Sequence, residues 1–248
     1  AFERGRLLFG YGLGEWCLDL LQYQRPAMIR LNGVSKTFFT QGVETVVANN
    51  VDLTFPAGRA VGLLGRNGAG KSSLLKMIAG TMLPTKGRID VGGTVSWPVG
   101  FAGSFHGDLT GLQNTRFVAR IYGVDSNQLV SFVEDFAELG DHFRLPFRSY
   151  SQGMRARLGF AMSMGIAFDF YLIDEVTSGG DAAFREKCEE MLADRLGNAG
   201  AIVVSHNLGF LRRVCDAGVV IEDGVADWFD DVNMAIRAHR LTMELAPA

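Results

Sequence analysis

An α/β fold, with a mostly parallel sheet covered by helices, a small antiparallel β lobe and a helical subdomain, is what this sequence predicts, and three observations carry the prediction. Short apolar runs alternate with amphipathic stretches along most of the chain, the pattern of strands joined by crossover helices. A glycine-rich turn separates one such run, Ala60 to Leu64, from the start of a helix at Lys71. From Leu112 to Leu139 two amphipathic helices follow one another with no strand between them, which marks an insert standing off the main sheet.

Residues 29–34 and 51–55 read as strands of the antiparallel lobe, and Ala60 to Leu64 as a buried strand. The helix that opens at Lys71 stops after Ala79, because Gly80 is a C-cap and Pro84 a breaker. Short strands are expected at Arg88 to Val91 and Val95 to Trp97, and the helical insert over about residues 105–165, its first two helices separated by Gly123 to Ser126. A helix follows Ser151, a strand spans Phe170 to Ile173, a helix follows Asp181, a strand covers Ala201 to Val204, and an α/β segment ends the chain. One domain is expected over residues 28–240, with residues 241–248 a tail. Met28-Ile29-Arg30-Leu31 opens the first alternating segment, whereas the chain begins with Ala1, so Met28 is the expected biological start and residues 1–27 a non-native or poorly ordered extension. A native N-terminus sequenced at residue 1 would remove that expectation.

Composition narrows the function classes. A chain of 248 residues with 48% hydrophobic content buries one large core and excludes disorder over its length. The net charge of −3 comes from scattered charges of both signs, with no basic run to follow a phosphate backbone, so nucleic acid is not an expected partner. Cys17, Cys188 and Cys215 lack metal-ligand spacing and are an odd number, which fits buried hydrophobes in a reducing compartment. No apolar run reaches the roughly 18 residues of a membrane span, since Asp169 cuts the longest candidate. A soluble or peripheral chain is expected.

Gly65-Arg66-Asn67-Gly68-Ala69-Gly70-Lys71-Ser72 satisfies the phosphate-loop pattern, with a strand before it and a helix after it. Glycines let backbone N–H groups wrap an anion, and the helix presents its positive end to the same place. Lys71 then reaches the β and γ phosphates and the Ser72 hydroxyl ligates Mg²⁺; Ser73 is counted with the nucleotide-binding residues. The run Phe170 to Glu175 ends a buried strand in two acids, where a parallel sheet opens its ligand crevice. Asp174 is the expected Mg²⁺ partner, and Glu175 the group that orients and polarises the attacking water. An isolated Asp-Glu pair would more often cap a helix, and the phosphate loop upstream reverses that balance.

Tyr150-Ser151-Gln152-Gly153-Met154 resembles the signature motif of ABC ATPases, Leu-Ser-Gly-Gly-Gln, with Ser151 and Gly153 matching and Tyr150, Gln152 and Met154 departing. The resemblance implies a P-loop NTPase core of the ABC ATPase type, binding ATP and Mg²⁺, with the Ser151 helix end closing on ATP held by a second copy of the chain. Three more positions resemble family elements. Asp181, after the turn Thr177 to Gly180, matches the D-loop acid; alone it would be an N-cap. His206 after the strand Ala201 to Val204 matches the switch histidine that hydrogen-bonds the γ-phosphate. Phe38 sits where the family keeps an aromatic ring against adenine, with Phe39 the alternative by one residue; an aromatic there could equally be core.

The glutamine that the family carries between the phosphate loop and the signature has no match. Trp97-Pro98-Val99-Gly100-Phe101-Ala102-Gly103-Ser104-Phe105 occupies that region and Gln113 lies too far along, so a water or backbone group is expected to substitute. The same region, with Leu109-Thr110-Gly111, Phe132 to Gly140 and Tyr150 to Met154, is similar to the ATPases of capsular polysaccharide exporters. That resemblance implies an ATPase at the cytoplasmic face of the bacterial inner membrane, seated on a polytopic permease of the ABC-2 type, with O-antigen or teichoic-acid export the close alternative. A small-molecule kinase would not need the signature helix or His206, no guanine-reading Asn-Lys-x-Asp occurs, and a soluble ABC protein of DNA repair or translation usually carries coiled-coil arms or a second cassette, absent here.

Overall fold

The computed structural model describes residues 28–40, 42–99, 105–175, 181–197 and 199–245. The expectations for residues 1–27, Cys17 among them, for Gly100 to Ser104 and for the Thr177 to Gly180 turn lie outside the described residues.

A three-stranded antiparallel sheet opens the fold. Strand β1 (Ile29–Thr40) lies between β2 (Val43–Phe55) and β4 (Lys86–Val91). Both β1 and β2 run further than the sequence indicates. The register shifts between Leu31 and Val34, Val34 and Lys36, and Lys36 and Thr37, so alternation breaks inside β1. On β2, residues 43–46 are all exposed, and a strand with no buried face leaves no two-residue hydrophobic period to read.

The second sheet has six strands in the order β5-β6-β7-β3-β8-β9, comprising β3 (Ala60–Gly65), β5 (Val95–Pro98), β6 (Phe170–Asp174), β7 (Gly200–Val204), β8 (Ala217–Glu222) and β9 (Val225–Phe229). All pairs are parallel except β8 with β9. The central strands are apolar along their length because both faces are covered. Val61, Leu63, Phe170, Leu172, Ile202 and Val204 point into a core shared with Ile29, Leu31 and Phe55 of the antiparallel lobe. Their neighbours Ala60, Leu64, Tyr171, Ile173, Ala201 and Val203 point into a second core that the helical residues fill. Period-two alternation thus distributes one sheet between two layers.

Three helices build the insert: α2 (Gly111–Tyr122), α3 (Ser126–Ala137) and α4 (Gln152–Gly165), following α1 (Lys71–Ile78). Thr110 and Gln113 close α2 with a reciprocal capping box, which occupies the Gln113 side chain. Asp125 accepts from the backbone of Asn127 and Gln128 at the start of α3. Phe132, Phe136 and Phe160 stack in series and Phe184 meets the last two edge-on, tying the insert to α5 (Ala182–Leu196). The chain continues through α6 (Leu208–Val214) and finishes with α7 (Val232–Leu245), so residues 241–245 are helical. Cys188 and Cys215 are free thiols whose pKa burial pushes up to about 12, which keeps both unreactive. Among the described residues, no helix is long and apolar enough to cross a membrane.

Candidate active site

The end of β3 turns into the phosphate loop through backbone that only glycine adopts without strain. Gly70 has φ +100, and a Cβ there would lie 2.7 Å from the Val47 carbonyl oxygen; Gly65 has φ +153, and its Cβ would lie 2.4 Å from the Ile221 carbonyl oxygen. The loop is thereby held against β2 and β8, and α1 points its N-terminus at the centre of the turn. Lys71 Nζ donates to the Gly65 carbonyl at 2.7 Å and to the Arg66 carbonyl at 2.8 Å, fixing the ammonium inside the loop. Burial lowers the Lys71 pKa below the usual lysine value, and the carboxylates of Glu175 and Asp174 act in the opposite direction.

A cavity of about 220 Å³ collects the loop and the acids: Asn67, Gly68, Gly70, Lys71, Ser72 and Ser73 line it together with Asp174 and Glu175. A second cavity of about 290 Å³ lies on the outer side of the loop, against Arg66, Asn67, Gly68, Ala69 and the β8–β9 turn. Asp174 ends β6 opposite Val204 of β7, which carries the chain on to His206. Glu175 stands at φ +51, an uncommon conformation for a residue with a side chain. Its N–H donates to the Val204 carbonyl at 3.1 Å, and its Oε1 lies 2.9 Å from His206 Nε2. Two residues 31 positions apart in sequence are thus joined at the mouth of the site.

The remaining expected residues lie elsewhere. Ser151 caps α4, its Oγ accepting from the Met154 N–H at 3.3 Å, and Ser151 and Gln152 are exposed. A Cβ on Gly153 would come no closer than 4.0 Å to the Ser151 hydroxyl, so the face of this helix end is open to approach. Neither these residues nor Asp181 lines the two cavities beside the loop. Phe38, half-buried on β1 opposite Thr45, has Lys36 Nζ 5.1 Å from its ring centre and also lines neither cavity, while Phe39 is 75% exposed. Val46 and Val47, which the sequence did not single out, supply the β2 wall instead.

Arg157 is a further residue that sequence reasoning missed, because its partners come from two other elements, the end of α3 and the start of α5. Its Nη2 donates to Asp181 Oδ2 at 2.8 Å, its Nη1 to Glu138 Oε2 at 3.3 Å, and the guanidinium lies 4.3 Å from the Phe184 ring centre. Lys187 of α5 donates to the other Glu138 oxygen at 2.6 Å. The Phe184 N–H and then Arg157 hold the Asp181 carboxyl below its usual pKa, and Lys187 and then Arg157 do the same for Glu138. Arg157→Ala is expected to destabilise the fold by about 1–2 kcal/mol in denaturant titrations, chiefly through lost packing on Phe184, since the carboxylates are exposed. Depressed carboxyl pKa values stabilise above the unfolded value and lose that effect as pH falls through the folded one. The gap between wild type and variant should therefore narrow below about pH 4.

Near the missing glutamine, Trp97 packs against Tyr122 and Phe168 at ring distances of 5.2 and 5.6 Å, and its indole Nε1 is buried without a hydrogen-bond partner among the described residues. Tyr122 is partly exposed on α2, as are Phe117 and Ile121 on the same helix.

Comparison with known proteins accords with this geometry. The profile of the ABC transporter family matches residues 48–178. The chain is 41% identical to the polysialic acid transport ATP-binding protein KpsT of Escherichia coli, over 88% of this chain and 99% of that one. It is 41% identical to the capsule polysaccharide export ATP-binding protein CtrD of Neisseria meningitidis, over 84% and 96%. The O-antigen export system ATP-binding protein RfbB of Klebsiella pneumoniae is 36% identical, over 74% and 76%. A solved ATP-binding subunit of an ABC transporter superposes with a TM-score of 0.74 at 22% identity, covering 88% of this chain and 99% of that one. A glycine loop with its lysine, two acids at the end of a buried strand and a histidine paired to the second acid, on a chain so related, mean that this protein belongs to the ABC transporter family as an ATP-hydrolysing subunit.

Proposed function

We propose that this chain drives export of capsular polysaccharide across the bacterial inner membrane, working as a head-to-tail pair seated on the cytoplasmic side of a polytopic permease. The observation that carries the substrate class is the 41% identity to KpsT and CtrD over nearly their whole length, against 36% over three quarters of RfbB. O-antigen or teichoic-acid export is the close alternative.

Lys71, Ser72, Asp174 and Glu175 share one cavity, a donor set that suits a nucleotide triphosphate with a magnesium ion. Ser72 and Asp174 would hold that ion, which supplies charge neutralisation of the phosphates when bound. Glycine N–H groups and Lys71 bind the phosphate chain. Glu175 orients the attacking water and accepts its proton, and His206, whose Nε2 lies 2.9 Å from the Glu175 carboxylate, holds that group in place and would turn its N–H to the γ-phosphate once nucleotide is bound. The exposed Ser151 helix end lies away from its own chain's cavity, which supports its use on the nucleotide of a second copy. Asp181, tied to that helix through Arg157, is suited to link the two sites. Phe38 is proposed to face adenine from β1. The exposed apolar side chains of α2 supply a surface for a permease helix, whose seating would pass the closing and opening of the pair into the membrane.

Deleting the gene in its host should abolish surface polysaccharide and leave polymer inside the cell, with rescue by wild type and not by Glu175→Gln. Unchanged capsule with loss of another surface polymer would favour the alternative.

A further inference from the structure

A third cavity adjoins the hydrolysis site at Gly65 and Lys71 of the phosphate loop, on the side facing α7. It has a volume of about 180 Å³ and lies between β3, the residues following β7 and the last turns of α7. Four nitrogen-bearing side chains face it, Lys71, His206, His239 and Arg240, and no carboxylate is among its lining residues. Lys71 and Val204 line both this cavity and the one holding Ser72 and Asp174, so the two adjoin at the lysine.

Two features point to a ligand. A concave site whose charged lining side chains, Lys71 and Arg240, are cationic favours anions, and Glu175, which pairs with His206 and acts on Lys71, lines the adjoining cavity rather than this one. The His239 Nδ1 atom is buried with no hydrogen-bond partner among the described residues, although the helix around it is ordered by packing at Ala235 and Ile236 and by the Thr242 hydroxyl donating to the His239 carbonyl at 2.9 Å. A buried ring nitrogen without a partner is costly, and native proteins rarely keep one without a use.

A small anion suits the space, because a cavity of about 180 Å³ has room for a tetrahedral oxyanion with a few waters. We propose that this cavity receives the orthophosphate released from ATP and holds it on His239 and Arg240 before it leaves past α7. In hydrolysis the water oxygen bonds to the γ-phosphorus as the bond to the β–γ bridging oxygen breaks beside Lys71; ADP keeps that oxygen and stays on the loop, Glu175 takes the water's proton, and the freed phosphate passes the lysine into the adjoining space. The assignment rests on the ATPase reading above.

The test is equilibrium dialysis of radiolabelled inorganic phosphate against the full chain loaded with ADP, comparing wild type with the double variant His239→Leu, Arg240→Gln. Leucine replaces the orphan nitrogen with apolar atoms of similar size, so the variant should melt no lower than wild type. Phosphate binding should weaken at least tenfold and ADP affinity change less than twofold, with the inhibition constant of phosphate in steady-state turnover rising in step. Equal phosphate binding by both proteins overturns the assignment, and so does a parallel loss of ADP. The two readings separate, because ATP hydrolysis by wild type upholds the ATPase reading whatever phosphate does.

Discussion

Glu175→Gln is expected to leave ATP bound and to slow its hydrolysis by about 10²- to 10⁴-fold, the range of a positioned general base. The amide has the shape of the carboxylate and still accepts from His206 Nε2, 2.9 Å away in the native chain, so the site keeps its geometry. What it loses is the capacity to take a proton from the attacking water. The fold should be little affected, because the Glu175–His206 pair is more than half exposed on both sides and pairs of that kind contribute at most about 1 kcal/mol. Single-turnover cleavage of bound ATP, measured beside nucleotide retention, separates the two effects. Loss of retention together with turnover would mean that Glu175 builds the site, whereas rapid, normal turnover would remove it from the chemistry.

Lys71→Ala should act earlier, on binding. The ammonium is held by the Gly65 and Arg66 carbonyls at the centre of the loop, where it is already desolvated and positioned for a phosphate oxygen. Hydrogen bonds to charged groups contribute about 1.5–3 kcal/mol, so the variant should bind ATP roughly 10- to 100-fold more weakly. Hydrolysis should fall further still, because the positive charge that stabilises the transferring phosphoryl group is gone. Fluorescent-nucleotide titration reads the first effect and steady-state phosphate production the second.

The phosphate loop was legible because its chemistry is local: one stretch of eight residues contains the glycines, the lysine and the hydroxyl, and the strand before it is apolar throughout. Asp174 and Glu175 were legible for the same reason, sitting at the end of a buried run. Residues whose roles depend on distant partners gave no such signal. Arg157 reads as one of several basic residues on a helix until the fold brings Asp181, Glu138 and Phe184 around it. Nothing local in the sequence marks His239, whose surroundings form only when α7 packs against β3 and β8. The strands at residues 29–34 and 51–55 were read, and the rest of the β1–β2 pair escaped because its bulges and its exposed residues 43–46 erase the period on which strand reading depends.

The central claim is that ATP joins two copies of this chain, each contributing its phosphate loop to one nucleotide and its Ser151 helix end to the other. Sedimentation of the Glu175→Gln protein with and without Mg·ATP tests it most directly. Addition of nucleotide should shift the protein from the mass of one chain to that of two, and a second change, Gly153→Asp, placing a carboxylate where the partner's γ-phosphate would lie, should abolish the shift while ATP remains bound. A Glu175→Gln protein that holds Mg·ATP and still sediments as a single chain at high concentration would contradict it.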